Sequence, residues 1–137
     1  MKRIVLISCV SKKRTSATEA QDLYISTLFK LNLKYAKQLD PDLIYILSAK
    51  YGVLSLEETI APYDQTLNRM RVKERREWSK RVLSQLDQVT SLHDDEFIFL
   101  AGHQYRQFLV PHLQHVKIPL EGLGIGYQLQ KLKMWTS

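Results

Sequence analysis

Four short apolar runs, at residues 3–7, 43–47, 96–100 and 116–118, constrain this chain more than any other feature. The first two are continuous apolar runs, as expected of strands buried on both faces, the third reads as a strand as well, and 116–118 reads as a shorter fourth strand. The chain between successive runs is long enough for a crossover helix, which favours parallel pairing over hairpins. The order predicted is βαβαβαβα. Its expected fold is a three-layer α/β sandwich, a four-stranded, mainly parallel sheet flanked by helices with right-handed connections. A length of 137 residues accommodates one hydrophobic core, so residues 1–137 are expected to form a single α/β domain.

Helix signals fall between the runs. Ser16-Ala17-Thr18-Glu19 has the spacing of a capping box, and Leu23, Tyr24, Leu28, Leu31, Tyr35 and Leu39 follow near helical spacing. Ser26 offers a second cap within that stretch, and Pro41 ends it. Residues 53–64 read as irregular, closing in a Pro62-Tyr63-Asp64 turn whose aspartate suits a helix N-cap. A strongly charged helix is expected over 65–89, in one piece or two. A short one is expected from Tyr105 to Leu113, with Pro111 distorting or ending it. The glycine-rich segment 119–126 precedes a closing amphipathic helix at 127–135.

The formal net charge is +6, a balance that suits acidic partners such as nucleic acid, DNA in particular, or a nucleotide. Cys9 is the lone cysteine and cannot form an internal disulfide, which fits a reducing, cytoplasmic setting. No apolar run nears the roughly 18 residues of a membrane helix, and no signal-peptide pattern opens the chain. No membrane partner and no cofactor are expected.

In a parallel α/β fold the loops after the strands share one edge, where ligands bind. The loops at Ser8, Ser48, Gly102 and Pro119 should therefore converge. In the first, Ser8, Cys9, Ser11, Lys12 and Lys13 combine hydroxyls, backbone amides and lysines that can receive a phosphate or substrate. A solvated charged loop is the alternative, and the glycine spacing of a P-loop or dinucleotide fingerprint is missing. Cys9 suits a nucleophile or, as free cysteines more often do, a small buried hydrophobe. In the second, Ser48, Lys50, Tyr51 and Tyr63 can contact an anion and stack on a base. Asp64 is either a catalytic base or the cap already noted.

On the charged helix, Arg69, Lys73, Arg76 and Lys80 form a basic stripe at helical spacing, a surface for nucleic-acid phosphates or simply a solvated face. Trp78, Val82, Leu83 and Leu86 fall on another face, toward the core, and Glu77 can pair with Arg81. His103, His112 and His115 lack a metal-site pattern, so no metal is expected. In Pro119-Leu120-Glu121-Gly122-Leu123-Gly124-Ile125-Gly126, Gly122 and Gly124 can bring backbone amides to a ligand, with Glu121 at the mouth of the turn. Close helix-to-sheet packing is the rival role for those glycines.

Ile7-Ser8-Cys9 with Lys12, Leu23-Tyr24-Ile25-Ser26 with Phe29, Ser48-Ala49-Lys50-Tyr51-Gly52, Pro62-Tyr63-Asp64 with Leu67, and the glycine-rich segment together resemble a small bacterial and phage family of unknown function. More distantly, Leu47-Ser48, Tyr51-Gly52 and Pro62-Tyr63 resemble elements of the YaaA family of peroxide-stress proteins. That resemblance implies DNA binding through a basic cleft and a role in limiting oxidative DNA damage. Lys50 stands where the YaaA pattern has an apolar residue, Asp64 where it has arginine, and this chain is shorter. The expected architecture is also similar to that of the uracil-DNA glycosylase superfamily, although the signature motifs of that superfamily are not visible here.

Together these features favour a nucleic-acid-directed protein that processes a nucleobase or N-glycosidic linkage without a metal. Lys50, Asp64 and Glu121 are its candidate catalytic groups. A non-catalytic DNA-binding or stress-response module, YaaA-like, is the alternative, and a small-nucleotide enzyme or sensor a third.

Overall fold

A computed structural model of the chain describes residues 1–8 and 13–137. All four apolar runs become strands of one sheet: β1 (Arg3–Ser8), β3 (Leu43–Ser48), β6 (Glu96–Leu100) and β7 (His115–Lys117). β1 lies between β3 and β6, with Ile4 opposite both Leu43 and Phe97, and β7 flanks β6. Every one of these pairings is parallel. Ile4, Val5, Leu6 and Ile7 are fully buried, so β1 is covered on both faces.

The sheet has five strands among the described residues, not the four expected. The fifth, β4 (Gly52–Ser55), pairs antiparallel with β3 at one edge, in the stretch expected to be irregular. Gly52 explains the difference. Its φ of +75° lets the chain reverse tightly after β3, and an added methyl there would collide with the Gln85 side-chain amide. Gln85 secures the returning strand by accepting from the Val53 N–H at 2.8 Å.

A small second sheet pairs β2 (Thr18–Glu19) with β5 (Thr59–Ile60). It displaces the capping box expected at Ser16 through Glu19. The amides of Ala20 and Gln21 donate to the carbonyls of Glu58 and Leu56, so the start of α1 (Ala20–Leu23) has acceptors from that neighbouring segment. The second cap does form. Ser26 Oγ accepts from the Phe29 N–H at 3.2 Å and starts α2 (Thr27–Gln38).

The charged segment divides into a 3-10 turn, Leu67–Arg69, and α3 (Val72–Val89). Thr66 caps the turn, and Glu74 accepts from the Arg71 N–H at the head of α3. Asp64 caps neither and stays exposed, a correction to its expected cap role. Trp78, Val82 and Leu86 are buried as their periodicity predicts, with Leu83 half-buried. Arg81 donates to the Lys50 carbonyl at 2.9 Å in place of the expected pairing with Glu77. Pro111 sits within a second 3-10 turn, Val110–His112, so the segment after β6 divides into that turn and α4 (His103–Arg106). The closing helix, α5 (Ile125–Thr136), packs along α2, with the Tyr35 and Trp135 rings 5.0 Å apart.

Charges gather where the parallel strands begin. Glu96 holds Arg3 at 3.0 Å and Lys117 at 3.2 Å, and Asp95 accepts from the Lys2 and Ser91 amides, each at 2.8 Å. These contacts tie β1, β6 and β7 together at the edge opposite the loops. Among the described residues no helix is long and apolar enough to cross a membrane.

Candidate ligand cavity at the strand ends

The chain leaves β1 to build β3 on one side, then crosses to build β6 on the other. Loops after β1 and β6 must diverge, which opens the crevice that α/β folds use for ligands. A cavity of about 670 Å³ lies there, lined by Ser8 at the end of β1 and by Leu100, Ala101 and Gly102 at the end of β6. The Gly102 N–H donates to Ser8 Oγ at 3.2 Å across its floor. Phe29 and Asn32 of α2 form one wall, and Leu120, Glu121, Leu123 and Gln128 form another. Arg106 of α4 and Asn68 of the 3-10 turn complete it. The volume lies within the range of small-molecule sites, roughly 300–1,000 Å³.

Both long helices on this side begin at the cavity. Ser26 supplies the cap of α2, whereas Gly124 begins α5 without any side-chain cap. Gly122 takes a φ of +81° in the turn ahead of it, with open space around its α-carbon. The Glu121 carboxylate is exposed at the rim.

Two polar side chains in the lining are incompletely satisfied. Asn32 is only 3% exposed, and among the described residues neither its Oδ1 nor Nε of Arg106 has a hydrogen-bond partner. More than nine in ten buried polar groups in folded proteins are paired, so each of these atoms needs an explanation.

The comparison with known families bears on this whole unit. A family of unknown function, DUF6884, matches residues 4–134, from β1 through α5. The chain belongs to the DUF6884 family. No curated protein and no solved structure matches it.

Within this DUF6884 chain, the residues singled out from sequence fall into three groups. Ser8, Glu121 and Gly122 line the cavity, and Gly124 caps the helix at its edge. Lys13, Lys50, Tyr51 and Tyr63 instead form a cation–aromatic cluster. The Lys13 ammonium lies 4.6 Å from the Tyr63 ring centre, that of Lys50 lies 5.3 Å from Tyr51, and the two tyrosine rings meet edge to face at 5.7 Å. Tyr63 also shares a 2.6 Å hydrogen bond with the Tyr24 hydroxyl, and the Tyr24 ring lies 5.1 Å from Phe29. A line of four aromatic rings therefore runs from Tyr51 to the cavity wall.

Lys50, Tyr51, Tyr63 and Asp64 do not line the cavity that Glu121 borders. Ser48 is buried, its hydroxyl accepting from the Lys50 and Tyr51 amides. The third group is the basic stripe. Lys73, Arg76 and Lys80 are exposed on α3, while Arg69 lies on the preceding 3-10 turn. Arg76 stacks 4.3 Å from the Phe108 ring centre. Cys9, Ser11 and Lys12 lie outside the described residues. Asn32 and Arg106 are the residues that sequence reasoning missed. The available signal was Asn32 itself, a polar residue at helical spacing between Phe29 and Ala36 on the buried face of α2.

Proposed function

We propose that this DUF6884 protein is directed at nucleic acid and seats a nucleobase with its sugar in the β1–β6 cavity, where it processes the linkage to that base. The cavity carries this reading. Its size suits a nucleoside, the Phe29 and Phe99 rings suit a planar ligand, and Glu121 stands at the rim where a carboxylate can orient water. Exposed Lys73, Arg76 and Lys80 supply cations for a phosphate backbone. Lys50 and Asp64 stand apart from the cavity lining, so this reading relies on Glu121 as its carboxylate. The fully buried β1 supports a three-layer arrangement with helices on both faces, and the continuous core supports one domain over 1–137. The single cysteine supports a cytoplasmic setting. DNA binding in the YaaA family, which the Tyr51-Gly52 and Pro62-Tyr63 elements resemble, agrees in direction.

The test is incubation with nucleosides, nucleotides and single- and double-stranded oligonucleotides, followed by mass spectrometry for released base or altered nucleotide. Product formation that is lost in Glu121→Gln, with binding retained, is the expected result. Failure of every base, nucleotide and oligonucleotide to bind would overturn the proposal. The exposed stripe on α3 favours a second reading, a non-catalytic DNA-binding module. It prevails if oligonucleotides bind but no nucleoside or nucleotide competes for the cavity and no product forms.

A further inference from the structure

We infer that Asn32 decides which ligands the cavity accepts, by taking a hydrogen bond from an N–H on the pairing edge of a base. This rests on the proposal that the cavity is a base site. Asn32 occupies the buried face of α2, three residues after Phe29 and four before Ala36. Its buried neighbours along that face are apolar, and a leucine would satisfy the pattern. Asparagine is a poor helix former, and burying its carbonyl oxygen without a partner adds a second cost. Exceptions to pattern, propensity and polar satisfaction at a single position are expected at functional sites.

The direction of the missing bond follows from the atom. Oδ1 can only accept, so the absent partner is a donor, an N–H or O–H. Asn32 lines the same cavity as Phe29, whose ring suits a planar ligand, and as Arg106, whose Nε–H, without a partner among the described residues, offers a donor in return. A nucleobase presents both complements, an N–H and an acceptor on one planar edge. A base methylated at that N–H keeps its ring but loses the donor and adds bulk.

The test compares wild-type affinity for matched pairs: uridine and 3-methyluridine, guanosine and 1-methylguanosine, adenosine and N6,N6-dimethyladenosine. For every parent that binds, the methylated partner should bind about tenfold more weakly or worse. Asn32→Leu should weaken parent binding by a similar factor. Without ligand, it should melt higher than wild type by about 4 °C, since an unpaired buried amide is removed. A merely structural asparagine would lower the melting point when replaced and leave binding unchanged. Parents that bind with no discrimination against their methylated partners overturn the assignment to Asn32 while leaving the base site standing. If no parent binds, the base site falls and this assignment with it. Should Asn32→Leu not fold, the methylated series decides alone, because it uses the wild-type protein.

Discussion

The indole N–H of Trp78 donates to the Ser48 carbonyl at 2.9 Å in the protein interior, joining the middle of α3 to the end of β3. The same ring meets Tyr105 of α4 edge to face at 5.6 Å. Because Ser48 Oγ accepts from the Lys50 and Tyr51 amides, the Ser-Ala-Lys-Tyr-Gly element is a turn held from two sides. Trp78→Phe removes the indole donor from that carbonyl and should cost about 1 kcal/mol. Urea unfolding measures the loss directly. An unchanged midpoint would show that the bond contributes nothing to holding the turn.

Gly52 makes a sharper prediction. Alanine there must adopt a left-handed backbone and push aside the amide of Gln85, which also bonds Tyr51 O and Val53 N. Gly52→Ala should destabilise by about 2 kcal/mol or more. Gly122→Ala, with the same backbone hand but open space around it, should cost less. Thermal melts of the two variants side by side would expose any error in that order.

On the basic stripe, Lys73 and Lys80 are the simplest test, since Arg76 also stacks on Phe108. If both lysines contact phosphate, the double alanine variant should bind oligonucleotides more weakly regardless of sequence. The slope of log affinity against log salt should fall by about two, one released counterion for each lost cation. Titrations at several salt concentrations read both. A folded variant with the original slope assigns the stripe to solvent.

Acid sensitivity should come from the opposite edge. The Ser91 and Lys2 amides point at Asp95 and hold its carboxyl below the usual carboxylate range. Its ionised form is thus favoured by folding. The contribution is complete above the unfolded value, about 3.9, and drains away as pH falls through the lower folded value. Replacing Asp95 with asparagine should lower stability at neutral pH and flatten its decline below about pH 4. Melting temperature followed from neutral to acid pH for both proteins tests the sign.

The parallel core was legible in the sequence because strands buried on both faces are written as unbroken apolar runs, and Ile4-Val5-Leu6-Ile7 leaves no other reading. β4 was not, since four residues after a glycine turn carry too short a pattern. The β2–β5 pair is shorter still, and it supplied acceptors that the Ser16 capping box would otherwise have implied. Of the site, Ser8, Glu121 and Gly122 could be placed by topology alone, because strand ends share an edge whatever their separation in sequence. The cavity walls could not. Phe29, Phe99 and Leu120 have the same apolar signature whether a side chain fills the space beside them or nothing does. Lys50 and Asp64 were grouped with Glu121 from the sequence yet stand outside the cavity lining, because a one-dimensional pattern does not say which loop leans over the crevice.

The central position of β1 has a consequence for synthesis. β1 leaves the ribosome before both of its neighbours, β3 at residue 43 and β6 only at residue 96. Until β6 emerges, a strand with four consecutive apolar residues, Ile4 to Ile7, keeps one flank of unpaired backbone, a template for pairing with any other nascent chain. The sheet cannot be completed on the β6 side until residues 96–100 have been made. An arrested or cleaved chain ending before that point would carry β1 with its β6 flank still unpaired.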